Sequence, residues 1–388
     1  MIDNKSKGSA SRQIAFLVIA AAILMTASMA CGPRPAASPT RVTSNEIPAI
    51  AIPTVPIALP VTSVPLTATS GPSDPTISAP VTAPPPTPSP TPTPDPYAEM
   101  TIDALAARHY GGGLLEITDT LETNDVFTRY EIKYPSDGLD IYGFMNVPNE
   151  GDNFPVVLML HGYIDPEEYE IVDYTRRYAD ALAEAGYFII HPNFRNYPPS
   201  DIGPNPFRIG YAIDVLNLIA VIREQSRDPL GTLRRADADN IHLWGHSMGG
   251  GVALRVLAVN NAPYLRAAVL YASMSGDEAK NAGRIRDWSN NARGVFEQNA
   301  APESLRAISP IYHLDRIAAA VAVHHSRDDD VVPVEWSEEL CATLDGLFAA
   351  GEIAHPPECY FYDLQPHTFR GDGDAVFMER VVAFFGRY

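Results

Sequence analysis

From residue 127 onward, short apolar runs alternate with amphipathic stretches, and the period of each run predicts its element. Phe127 to Tyr134 alternates apolar and polar positions, Pro135-Ser136-Asp137-Gly138 reads as a turn, and Leu139 to Val147 alternates again, which predicts a β-hairpin. Phe154 to Leu160 is continuously apolar, as a strand buried on both faces must be. Apolar positions at helical spacing from Glu167 to Ala185, stopped by Gly186, predict a helix. Tyr187 to Pro192 is a second buried strand, and Ile209 to Glu224 a second helix. Asn240 to Trp244, Arg266 to Ala272, Ala319 to His325 and Cys359 to Tyr362 read as further strands. Val252 to Ala258, Glu335 to Leu347 and Asp374 to Phe385 read as further helices, and Thr101 to His109 as a short one. The stretch 274–317 is polar and irregular and breaks the alternation. A hairpin followed by strand–helix units implies the α/β class: a mostly parallel sheet with helices on both faces, interrupted by a small lid at about 274–317.

Composition separates this body from what precedes it. Lys5, Lys7 and Arg12 stand before the apolar run Ile14 to Met25, and small residues follow up to Cys31, the order of an export signal in residues 1–31. Cys31-Gly32 resembles a bacterial lipobox, in which the cysteine is lipidated, although Ser28-Met29-Ala30 lacks the usual leucine. Cleavage after Ala30 and an uncleaved anchor are the competing readings. Residues 32–96 hold more than half of the 36 prolines, among Thr, Ser, Ala and Val, and read as an extended stalk without a core. Fully stretched, it would span up to about 200 Å. An exported, membrane-anchored protein with a globular domain at 97–388 is the expectation. The net charge of −19 argues against a nucleic-acid partner. Cys341 and Cys359 are the cysteines left in the body; an oxidising compartment lets them pair, and two buried free thiols is the other reading.

One stretch carries a chemical signal. The predicted strand ending at Trp244 runs into Gly245-His246-Ser247-Met248-Gly249 and then a helix, the setting of a nucleophile elbow. Gly245 and Gly249 leave room for the strained turn, and the helix N-terminus favours developing negative charge. Acyl transfer to a serine needs a base, an orienting acid and two oxyanion donors. His367, in the loop between the last predicted strand and the last helix, is the candidate base; His355 precedes that strand, and His313, His324 and His325 read as structural. The acid falls among Asp328, Asp329 and Asp330, which spacing alone does not separate. The backbone N–H groups of Tyr163 and Met248 are the candidate oxyanion donors, Gly162 opens the approach, and His161 supports the loop. In the lid, Arg284, Arg286, Trp288, Arg293 and Phe296 are candidate pocket residues.

Together, His161-Gly162-Tyr163, the Gly245–Gly250 elbow, Ser309-Pro310, His325 to Pro333 and Pro366-His367 resemble the catalytic domain of α/β-hydrolases of the prolyl oligopeptidase type. The family pattern His-Gly-x-x-Asp-x-x-Val-Pro falls on His325 to Pro333, with Ser326 in place of glycine, and selects Asp329. The resemblance implies a serine hydrolase using Ser247, Asp329 and His367, with no metal or organic cofactor. It favours a peptidase acting on short peptides, with a carboxylesterase of the dienelactone hydrolase-like type as the alternative. The family's β-propeller has no counterpart between stalk and hairpin, so dipeptidyl specificity is not implied. A non-catalytic surface protein built on the same fold is the remote reading.

Overall fold

The computed structural model describes residues 95–388; the expected export signal, Cys31 and the expected stalk up to residue 94 lie outside the described residues. In chain order the elements are α1 (Ile102–Ala106), β1 (Glu116–Thr123), β2 (Phe127–Ser136), β3 (Leu139–Pro148), β4 (Phe154–Leu160), α2 (Arg176–Glu184), β5 (Phe188–Pro192), α3 (Ile209–Gln225), β6 (Ala236–His246) and α4 (Met248–Val259). There follow β7 (Leu265–Tyr271), α5 (Glu278–Trp288), α6 (Val295–Gln298), α7 (Pro302–Ile308), β8 (Ala320–Ser326), α8 (Val334–Ala350), β9 (Glu358–Tyr362) and α9 (Gly371–Phe385). Among the described residues the strands form one sheet in the order β1-β2-β3-β5-β4-β6-β7-β8-β9. The β1 to β3 meander and its junction with β5 are antiparallel, and every pair from β5 to β9 is parallel.

The continuous apolar runs are explained by where their alternate side chains go. In β4, Val156, Leu158 and Leu160 enter a core with α3, α4 and α8, whereas Val157 and Met159 enter a second core with α2 and α9. In β7, Ala268 and Leu270 face the first core and Ala267, Val269 and Tyr271 the second. Neither face is free to be polar, so period-two alternation disappears from these strands.

Two elements differ from the sequence reading. The helix expected over 167–185 begins only at Arg176. Asp165 turns the chain, accepting the Glu167 N–H on Oδ1 at 3.0 Å, and Tyr169 and Thr175 are spent on hydrogen bonds to His191. The sequence reading also passed over β1, whose eight residues are all exposed. A strand at the sheet edge that buries nothing leaves no hydrophobic period to read.

Cys341 of α8 and Cys359 of β9 are joined in a disulfide across a sequence separation of 18. Replacing both with serine should lower unfolding free energy by about 3 kcal/mol, because the cross-link restricts the unfolded chain. Urea unfolding of the two proteins checks this; coincident midpoints would rule it out.

Candidate active site

The parallel register gathers five strand ends along one edge. Leu160 of β4 lies beside Gly245 of β6, His246 beside Tyr271 of β7, and Ser326 of β8 beside Tyr362 of β9. The segments leaving those ends carry Gly162 and Tyr163, Ser247, Asp329 and His367. Sequence-distant groups are thus placed together by strand pairing, at the carboxyl edge where open α/β sheets bind ligands.

Ser247 joins β6 directly to α4 and holds φ 54°, ψ −117°, a positive-φ conformation strained for a side-chain-bearing residue. Its neighbours explain how the strain is kept. A Cβ on Gly245 would lie 2.4 Å from the Gly249 carbonyl oxygen, and one on Gly249 would lie 2.0 Å from the Leu160 carbonyl oxygen. Ser247 N–H donates to Tyr271 O at 2.9 Å, and Ser247 O accepts from Met274 N–H at 3.0 Å. Gly249→Ala should therefore cost about 2–4 kcal/mol, since the obstruction is backbone. Gly346→Ala in α8, where a Cβ would meet nothing within 4 Å, should instead stabilise by about 0.5–1 kcal/mol. Unfolding midpoints that move the same way for both variants would contradict this.

His367 donates from Nδ1 to Asp329 Oδ2 at 2.7 Å, which leaves Nε2 unprotonated in the neutral ring. The Asp329 side chain is fully buried and has its other oxygen occupied: Oδ1 accepts the N–H groups of Val331 and Val332 at 2.8 and 2.9 Å. His325 Nε2 reaches Oδ2 at 3.1 Å, and Ser337 Oγ lies 2.7 Å from His325 Nδ1. Burial opposes the charge on Asp329, but the bonds from His325, His367 and Val332 outweigh it and hold the carboxyl below the usual carboxylate range. The three aspartates are thereby separated. Asp328 takes the Leu364 N–H at 2.6 Å, Asp329 takes His367, and Asp330 is exposed at the cavity mouth.

The loop bearing His367 is fastened on both sides. Ser326 Oγ donates to Gln365 O at 2.6 Å, His246 Nε2 to His367 O at 3.1 Å, and Arg177 to Phe369 O at 2.9 Å. The Tyr271 hydroxyl accepts the Phe369 N–H. Because His246 donates from Nε2, its Nδ1 is the acceptor for the Tyr174 hydroxyl at 2.7 Å. Burial and the nearby His367 push the His246 pKa down to about 3, so this ring is neutral. Neither Tyr174 nor His246 was singled out from the sequence. Tyr174 lies in a stretch that reads as helix, and the middle position of the elbow carries no motif constraint that names a histidine. Gly162 acquires a further reason: a Cβ there would overlap the Tyr174 hydroxyl at 1.9 Å.

Ser247, Met248, Tyr163 and His367 all line one cavity of about 660 Å³, within the range of small-molecule sites. Arg284, Trp288 and Arg293 of the 274–317 segment line it as well. Arg293 donates to the Tyr163 hydroxyl at 2.8 Å and lies over the Trp288 ring. Arg286 and Phe296 do not belong to it, which corrects the sequence reading. Arg286 bonds Gln298 at 3.2 Å and pairs with Asp287, while Phe296 packs on Tyr97 and Phe207. His161 bridges its loop to Asn193 O at 2.8 Å, and burial lowers its pKa to about 4. Of the other histidines, His324 is buried against Tyr360 and Tyr362, and His355 packs on Tyr388. Among the described residues no group of three or more His, Cys, Asp and Glu is placed to hold a metal ion.

Residues 155–299 match the family model described as alpha/beta hydrolase fold. Among solved structures, acetyl xylan esterase 1 from a Thermoanaerobacterium species is similar at 16% identity and TM-score 0.54, covering 75% of this chain and 94% of its own. The acylaminoacyl peptidase of Pyrococcus horikoshii is similar at 21% identity and TM-score 0.53, covering 68% of this chain but 42% of its own. A puromycin-hydrolyzing peptidase of Mycobacterium tuberculosis is similar at 20% identity and TM-score 0.51, over 68% of this chain and 40% of its own. The chain therefore spans about two fifths of these peptidases and nearly all of the esterase.

Proposed function

We propose that this chain, a serine hydrolase of the α/β-hydrolase fold, cleaves small esters or short amides through an acyl-enzyme on Ser247. The observation that carries this reading is the Asp329–His367 hydrogen bond of 2.7 Å, made by a histidine that shares its cavity with Ser247 at a strained elbow. His367 Nε2 takes the Ser247 proton as Oγ attacks the carbonyl carbon. The oxyanion is received by the N–H groups of Tyr163 and Met248, the latter at the N-terminus of α4. His367 returns the proton to the leaving group, and water activated by the same nitrogen releases the acid. Asp329 stays ionised and steadies the imidazolium.

Ester cleavage is favoured by the match over nearly the full length of the acetyl xylan esterases. Peptide cleavage is favoured by the His325 to Pro333 pattern and by the partial-length match to acylaminoacyl peptidases. The basic and apolar order of residues 1–31 supports export as part of this reading. The test is turnover of ester and amide substrates with identical acyl groups, together with trapping of the acylated protein. Acyl label on Ser247 supports the proposal, and the ester-to-amide ratio assigns the bond. Turnover without acylation of Ser247 would overturn it.

A further inference from the structure

Beside the nucleophile lies a charged cluster that the acyl-transfer chemistry does not use. Arg255 of α4, with its side chain 2% exposed, donates to Ile308 O at 2.6 Å and pairs with Glu278. The other oxygen of Glu278 pairs with Arg208, whose side chain is 14% exposed. Asn281 Nδ2 also reaches Glu278, at 3.3 Å, so this carboxylate takes three side-chain donors. Two guanidinium groups thus share one carboxylate, and Glu278 is the one acid paired with Arg208 among the described residues. A surplus positive charge remains in a mostly buried place, an arrangement that costs free energy unless an anion or water answers it.

Arg208 is also the cation that faces the cavity from within. It lines the space shared with Ser247, whereas Arg284 and Arg293 are exposed at the mouth. Of the acids lining the cavity, Asp330 is exposed, and Glu297 is half-buried, keeps its charge while Oε1 accepts the Phe207 N–H at 3.2 Å, and forms no ion pair with Arg208 among the described residues. Arg208 gives one nitrogen, Nη2, to Glu278, and no protein acceptor meets its Nε or Nη1 among the described residues. Its backbone is strained: Phe207 and Arg208 hold φ of 49° and 59° in succession, ahead of α3. Two adjacent left-handed residues other than glycine are a conformation that folds retain mainly where function needs it. Arg208 and Met274 also line a small hollow with Gly251 and Val252 of α4, and Val252 lies five residues, roughly 7–8 Å of helix, beyond Ser247.

We propose that Arg208 binds a carboxylate carried on the acyl part of the substrate, so that the preferred substrates are esters or amides of short dicarboxylic acids. The proposal rests on Ser247 being the nucleophile and adds the substrate class. A substrate carboxylate would accept from the unpaired Nε or Nη1 of Arg208 and neutralise the surplus charge of the cluster, while the carbonyl at the other end of the chain reaches Ser247.

The test compares p-nitrophenyl monoesters of succinate, glutarate and adipate with neutral p-nitrophenyl esters of equal chain length, on the wild-type protein, Arg208→Gln and Arg208→Lys. The wild type should favour the anionic ester in at least one pair by about tenfold or more. Arg208→Gln should reduce that anionic-to-neutral ratio of kcat/KM by about 10- to 100-fold. Arg208→Lys should restore part of it, and because lysine keeps the charge beside Glu278 it serves where the glutamine variant folds poorly. Unchanged ratios, or a neutral preference in all pairs, would overturn the proposal. Binding is read separately, as the thermal shift of Ser247→Ala protein on adding free glutarate or adipate. Stabilisation that Arg208→Gln abolishes supports the carboxylate site even if Ser247 proves not to be acylated, and no stabilisation by any of these acids counts against it.

Discussion

Ser247→Ala is expected to lower kcat by about 10⁵- to 10⁶-fold while moving the unfolding free energy by less than about 0.5 kcal/mol. The two effects separate because they have different origins. The strained elbow is held by Gly245, Gly249 and backbone bonds to Tyr271 and Met274, none of which involves the hydroxyl. Alanine inherits the same backbone and the same strain, so the fold loses little. The reaction, however, loses the atom that attacks. Steady-state turnover of a matched ester, with urea unfolding of the same preparation, measures both. Residual activity within a hundredfold of wild type would remove Ser247 from the mechanism.

Asp329→Asn should lower kcat by about 10⁴-fold and also cost stability near neutral pH. The amide can turn its nitrogen toward His367 and leave the ring in the tautomer with the proton on Nε2, which cannot accept from Ser247. It can instead turn its oxygen toward His367, but the amide nitrogen then faces the N–H groups of Val331 and Val332, donor against donor. The stability effect has a defined pH window. Since the Asp329 carboxyl is held below its ordinary range in the fold, its contribution is fully present above about pH 4 and is lost as pH falls further, toward the folded-state pKa. The stability gap between wild type and Asp329→Asn should therefore narrow under acid. Denaturant unfolding of both proteins across pH 7 to pH 3 reads it, and a gap that widens on acidification would contradict the assignment.

The strands that carry the site were legible because burial on both faces writes an unbroken apolar run, as in Phe154 to Leu160. The elbow was legible because a strained serine between close backbones excludes a Cβ at Gly245 and Gly249. What escaped has no local signature. β1 is exposed along its whole length. Tyr174 and His246 act through a bond spanning 72 residues, and spacing cannot announce such a bond. The three aspartates became distinct only through the turn that gives Asp329 two backbone N–H groups and sends Asp328 to Leu364. Arg286 and Phe296 share the lid's composition but point elsewhere, and no periodic pattern in that segment distinguishes them from Arg284 and Trp288.

The fastened loop of His367 bears on when the entropy of ordering is spent. Fixing a residue's backbone costs about 1–2 kcal/mol, so a loose segment of this length would demand a large sum each time a substrate arrived. Here Ser326, His246, Tyr271 and Arg177 hold residues 365–369 in place through hydrogen bonds made within the protein itself. That cost is met once, by the cooperative folding of the sheet that carries Ser326, His246 and Tyr271. Binding energy from a small substrate can then go toward the transition state instead of toward assembling the base.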